Sequence, residues 1–376
     1  MPNVTGDGVA WAVLACGAIV LAAEPPTIAL LRRRRVLDVP GGRSSHTTPT
    51  PRGGGAPIAV GLLVAAAVAV ASGAVLAGLT FALAVGFFGL LGLVDDLRGL
   101  PAVARLLFQA AGAVAVATPL VLRLSWPPLA VVVAGAAAAC WLVGFVNAFN
   151  FMDGVNGISG AHALIGGVVY ACLAGWRRDA FGVTAGLALA VGAAAFLPWN
   201  AVRARVFLGD VGSYSIGAAL AVLAVRLIAD GVPAEAVAGP VALYLADVAW
   251  TLQRRVRRGE RWLEAHRTHV YQRWCAAGWS HAEVTLLTSA LTVLLSLLGV
   301  AGMLGGAAAR VTADLAGLGV LAVYLGSPGL FARAGLGGVG GVGGGGVGGG
   351  GVGGGGVGGV GGLGGGAEAI AEMGEG

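Results

Sequence analysis

The sequence predicts an all-α, polytopic integral membrane protein with about 10–11 transmembrane helices. Three observations carry this expectation. Hydrophobic residues make up 57% of the 376 residues and charged residues only 11%, with a mean hydropathy of +0.85; a soluble domain needs more charge to cover its surface. Apolar stretches of spanning length recur along the chain. The 23 basic residues, all of them arginine, divide unevenly between the connecting segments.

A bilayer core about 30 Å thick takes roughly 20 apolar residues per helix. Such runs lie near 9–31, 54–73, 77–94, 103–122, 128–146, 157–175, 180–198, 212–229, 234–252, 284–306 and 312–326. Helix is the only reasonable element for them, because a chain in hydrocarbon must satisfy its own backbone. The first run is expected to be a retained span. The basic segment of a cleaved signal peptide is missing before it, although "LAAEP" at 21–25 faintly resembles a cleavage site. The second run follows "RSSHTTPTPRGGG" (43–55), a polar loop broken by Pro and Gly, and the third ends on Asp95 and Asp96. The fifth continues into "NAFNFMDGVNG" (147–157), the eighth follows "FLGDVGS" (207–213), and the ninth leads into "RRVRRGERWLEAHRTHVYQRW" (254–274). Residues 1–334 are thus one multi-span domain. Residues 335–376 form a Gly/Val-rich tail that cannot bury a core and is expected to be disordered.

Alternating the connections places Arg32–Arg35, Arg43, Arg52, Arg98, Arg105, Arg203, Arg205, the seven arginines between Arg254 and Arg273, and Arg333 on one side. The other side holds Arg123, Arg177, Arg178 and Arg310, with Arg226 near a helix end. The positive-inside rule makes the first side cytoplasmic, in a plasma membrane, and puts the N-terminus outside. Four polar clusters distant in sequence then share that side, which is what a cytoplasmic-face active site built from loops and helix ends looks like. The net charge of +5 belongs to basic juxtamembrane loops and implies no nucleic acid. The four cysteines have no CxxC spacing, so neither a zinc site nor a disulfide framework follows. The Gly-rich tail does not lie between a strand and a helix, so it is no phosphate-cradling loop.

Each cluster has a chemical and a bland reading. Adjacent carboxylates at membrane depth are costly and repel each other, so Asp95 and Asp96 suit a cation or a proton to be taken up; a helix-end pair at the water boundary explains them about as well. Asp210 in "GDVGS" sits between glycines that let a backbone approach a ligand closely. The apolar run after Ser213 suggests a helix start whose N–H groups favour phosphate, against a plain N-cap turn. Asn147, Asn150, Asp153 and Asn156 recur every third residue, roughly along one helix face. Amide oxygens and a carboxylate suit a hard cation, and amides pair with a uracil edge. His266, Arg267 and His269 carry groups that bind diphosphate, whereas the surrounding arginines fit topology or anionic lipid. His46 can contact phosphate, though a Ser/Thr/Pro turn is an adequate account of its loop.

Taken together, "SSHTTPTPRGGG", "DDLRGL", "NAFNFMDGVNGISG", "PWN…ARVFLGDVGS" and "AHRTHVYQR" resemble, in order and over roughly residues 25–330, the polyprenyl-phosphate N-acetylhexosamine-1-phosphate transferase family. The last string looks like the bacterial branch that starts O-antigen and teichoic-acid chains. It lacks the consecutive histidines of the related phospho-N-acetylmuramoyl-pentapeptide transferase, and "DDLRGL" lacks that enzyme's lysine. The resemblance implies transfer of a sugar 1-phosphate from a UDP-sugar to polyprenyl phosphate, with release of UMP and Mg2+ as cofactor (Mn2+ the alternative). It implies that Asp210 ligates the metal, with Asn150 a second ligand or close neighbour, and that Asp95 and Asp96 orient or deprotonate the acceptor phosphate. Asn156 is expected to read uracil, Asp153 to lie beside the nucleoside, and His266, Arg267 and His269 to hold the diphosphate or sugar. A homodimer is one assembly the sequence allows. The alternative class is a transporter or ion-coupled carrier, since intramembrane acids mark ion pathways. Such sites usually lie near the bilayer midplane, often between repeats, whereas these acids gather at one face.

Overall fold

A computed structural model describes residues 6–39, 48–260 and 267–333. His46, His266 and the tail 335–376 lie outside the described residues. The helices are α1 (Gly6–Arg33), α2 (Ala56–Ala71), α3 (Val75–Arg98), α4 (Ala102–Leu122), α5 (Pro128–Met152), α6 (Ile158–Trp176) and α7 (Ala180–Asn200). They continue as α8 (Gly209–Ala229), α9 (Ala234–Ala238), α10 (Ala242–Arg257), α11 (Val270–Ala276), α12 (His281–Leu304) and α13 (Ala307–Arg333). The only strands among the described residues are β1 (Leu37–Asp38) and β2 (Thr50–Pro51), an antiparallel pair.

Nine of the described helices are long and apolar enough to cross a membrane, and the 16-residue α2 is a shorter apolar helix. The protein is therefore an all-α polytopic membrane protein. One departure from the expected runs has a local cause. The 234–252 run breaks between α9 and α10 at Gly239–Pro240, because a proline there cannot continue the backbone ladder. The "LAAEP" stretch lies inside α1, which continues through Pro25 and Pro26.

The centre of the bundle is α8, whose residues are buried along nearly its whole length. In lipid there is little hydrophobic drive between helices, so close packing through small residues does the work. A Cβ at Gly92 of α3 would collide with the carbonyl of Asp210 on α8, and one at Gly89 would collide with the Ser215 hydroxyl. Gly167 of α6 and Gly186 of α7 approach each other's carbonyl oxygens reciprocally, at 2.6 and 2.7 Å from their would-be Cβ atoms. The buried hydroxyls of Thr184, Ser215, Thr288, Thr292 and Ser296 donate to carbonyls one turn back, so they need no partner across the bundle. Gly92→Ala should lower stability by about 1–3 kcal/mol, the range for overpacking a close contact. A thermal scan in detergent reads it; an unchanged midpoint would show that α3 and α8 can part at no cost.

Candidate active site

The site is built around the start of α8. Gly209 enters that helix at φ +74, and a Cβ there would lie 2.7 Å from both the Asp96 carboxylate and the Gly53 amide. Only glycine fits both demands. Asp96, at the end of α3, accepts the first N–H groups of α8, from Asp210 at 2.9 Å and Val211 at 3.0 Å. This corrects the expectation that these amides await a phosphate: a carboxylate already satisfies two of the helix's orphan donors and its positive dipole end.

Arg52 joins the two acids. Its Nε lies 2.7 Å from Asp96 Oδ1 and its Nη2 2.6 Å from Asp210 Oδ2. Burial opposes charge on this guanidinium, but the carboxylates of Asp210 and Asp96 outweigh that and raise its pKa. The loop reading of 43–55 missed what positions it. Arg52 bridges Phe207 in parallel register, Phe207 N–H donates to Pro51 O, and Gly53 and Gly54 both donate to Phe207 O. Gly55 then donates to Leu208 O and packs so closely on Gly212 that neither could carry a Cβ. The tract "PRGGG" is thus laid backbone to backbone against "FLGDVG".

Asn150, in the last turn of α5, donates through Nδ2 to Asp210 Oδ1 at 2.8 Å and to Ser213 Oγ at 2.9 Å. The other members of its string diverge. Helix α5 ends at Met152, so Asp153 and Asn156 do not continue its face. Asn147 donates to Gln109 on α4 and to Val143 O, away from Asp210. Asn156 is anchored by its backbone to His281 and Thr285 on α12. Asn200 holds the following turn, accepting from Gly157 N–H and donating to Val206 O. The adjacent acids at the end of α3 also part company. Asp95 accepts from Leu100 N–H, Arg105 and the Tyr214 hydroxyl, so it backs the site from behind and does not share Arg52.

Asp153 caps α5, and burial pushes its carboxyl up to about 7, with Asp210 and Asp96 adding to the shift and Arg52 opposing it. A folded carboxyl with a raised pKa holds its proton more tightly than the unfolded chain does. Its stabilising contribution is complete below the unfolded value near 4 and is lost as pH rises through about 7. The thermal midpoint should therefore fall more steeply between about pH 4 and 7 in the parent than in Asp153→Asn. Parallel curves would contradict this assignment.

A second group adjoins the first. His269 lies at the start of α11 with Nδ1 3.0 Å from Asp247 Oδ1. Asp247 is wholly buried and also accepts from Val270 N–H, Thr251 and the Tyr324 hydroxyl. Next in sequence, the Tyr271 hydroxyl donates to Phe151 O, and a Cβ on Gly154 would run into it. Residues 151–154 therefore join the Asp210 group to the His269 group. Arg267, two residues before His269 in the chain, is exposed. Asp247 was not singled out from the sequence.

The donors suit a hard divalent ion. No group of three or more His, Cys, Asp or Glu gathers among the described residues, but Mg2+ commonly takes one or two carboxylates, with substrate phosphates and waters completing its shell. Asp210 and Asp96, facing one cationic group, supply that much.

The model of glycosyl transferase family 4 matches residues 60–228, which include Asp95, Asp96, Asn150 and Asp210. The chain is 29% identical over 318 residues to the decaprenyl-phosphate N-acetylglucosaminephosphotransferase of Mycobacterium tuberculosis, covering 73% of this chain and 77% of that one. It is 25% identical over 279 residues to a probable undecaprenyl-phosphate N-acetylglucosaminyl 1-phosphate transferase of Bacillus subtilis, covering 69% and 75%. A shorter match, 39% over 89 residues, joins it to the phospho-N-acetylmuramoyl-pentapeptide-transferase of Enterococcus faecalis, covering 23% and 27%.

Proposed function

We infer from these matches that the chain belongs to glycosyl transferase family 4, and propose from that premise that it transfers an N-acetylhexosamine 1-phosphate from a UDP-sugar to polyprenyl phosphate. In this reaction an acceptor phosphate oxygen attacks the β-phosphorus of the UDP-sugar. The bond to the bridging oxygen breaks, UMP leaves with that oxygen, and a polyprenyl-diphospho-sugar remains. One observation carries the reading: Asp96 and Asp210, 114 residues apart, converge on Arg52 at the start of the most buried helix, beside the His269 group.

Asp210, with Asp96, would hold Mg2+, and the bound ion would supply charge neutralisation at the diphosphate. Asp96 fixes the start of α8, and with it the direction in which Asp210 points. Asn150 holds the other oxygen of Asp210. No general base is required, because a phosphate monoester with a second pKa near 6 is largely ionised at neutral pH. Asp95, occupied by Arg105, Tyr214 and Leu100 N–H, supports the helix end instead of taking a proton. His269 and Arg267 would contact the diphosphate or the sugar, and Asn156 the uracil. The arginine distribution supports a cytoplasmic location for this end of the bundle, at a plasma membrane, where nucleotide sugars are available. Purified protein given UDP-N-acetylglucosamine, polyprenyl phosphate and Mg2+ should release UMP. No release across a panel of UDP-N-acetylhexosamines would end the proposal.

A further inference from the structure

We propose that Arg52 is an exchangeable counter-cation, competing with the divalent ion for Asp210 and thereby setting how tightly the site loads metal. The inference rests on the reading above that Asp210 takes a divalent cation. It starts from an asymmetry in the triad. The Asp96 and Asp210 side chains are 1% and 11% exposed, whereas Arg52 is 38% exposed, so the guanidinium reaches in from the open side. Its backbone is pinned to Phe207, so any release occurs through side-chain torsions alone. The two carboxylates differ in what else holds them. Asp96 keeps two amide donors from α8 if Arg52 leaves. Asp210 keeps Asn150 on Oδ1, while Oδ2 faces Arg52 at 2.6 Å.

A cation approaching Asp210 Oδ2 therefore meets a guanidinium already in place. Arg carries five N–H donors in a planar fork, and the two contacts above use two nitrogens of that fork. Once displaced from Asp210, the same group can turn to phosphate, for which its geometry is well suited. The site would then bind metal weakly by itself and tightly when a phosphate gives Arg52 a new partner.

Mn2+ affinity of the full-length protein in detergent, without either substrate, tests this through the EPR signal of free Mn2+. Arg52→Gln should bind Mn2+ about tenfold more tightly than the parent, since a neighbouring guanidinium lowers a carboxylate's affinity for a proton by roughly 1–3 pKa units and opposes a metal cation at the same oxygen in the same way. Arg52→Lys keeps a charge but cannot span both carboxylates with a fork, so its affinity should fall between the two. It also serves if the glutamine variant does not fold. Equal or weaker Mn2+ binding in the substituted proteins overturns the proposal. Asp210→Asn separates the two layers of the argument: Mn2+ binding that survives it unchanged removes the metal assignment to Asp210 itself, and the exchange with it.

Discussion

Asp210→Asn should lower UMP release by at least about a thousandfold, the scale on which a group stabilising transition-state charge acts. The substitution keeps the side chain's shape and one acceptor for Asn150, but removes the charge that Arg52 and a divalent ion both seek. Folding should survive. The cost is a weakened ion pair to a partly exposed arginine and one less acid in the first turn of α8, each about 1 kcal/mol or less. Turnover and a thermal midpoint on the same preparation separate the two effects. Activity within tenfold of the parent would show that chemistry does not pass through this carboxylate.

Asp247→Ala should produce the largest structural loss. Four donors converge on this buried carboxylate, from His269, Val270 N–H, Thr251 and Tyr324. Removing their shared acceptor leaves polar groups stranded among apolar neighbours, for about 3–5 kcal/mol. Loss of folded protein, or a large fall in thermal midpoint, is the expected result. Asp247→Asn keeps one acceptor oxygen but presents an amide N–H₂ to donors. It should fold less stably and lose roughly 10–100-fold in activity, as when the group that orients a ligand-contacting histidine is replaced. A fully stable alanine variant would mean that α10, α11 and α13 are held together by packing alone.

Legibility followed the range of the interactions involved. The spans were readable because hydrocarbon imposes a continuous apolar length; only the break at Gly239–Pro240 divided an expected run into two helices. Asp95, Asp96 and Asp210 stood out because acids seldom lie against such runs. That adjacent acids would turn to different partners was not visible, because Arg105 and Tyr214 reach Asp95 from other helices. The three-residue spacing from Asn147 to Asn156 misled, since it assumed one helix continuing past Met152. The chain leaves the helix there, passes a half-buried Asp153, and turns at Gly157 with φ +82. Arg52 looked like one more loop arginine, because what places it is a backbone bridge to Phe207, far along the chain. Asp247 sits alone in an amphipathic helix leading into arginines, where a carboxylate reads as ordinary surface charge. A lone acid flanked by "LYLA" and "VAW", upstream of a His-x-Tyr pair, was the available signal.

The central claim is that phosphorus moves with the sugar at the Asp96–Arg52–Asp210 site. UDP-N-acetylglucosamine labelled with 32P at the β-phosphate tests it most directly. The protein should pass the label to the polyprenyl product and release unlabelled UMP, and Asp210→Asn should do neither. Label recovered in free UDP, or lipid labelling untouched by that substitution, would contradict the account.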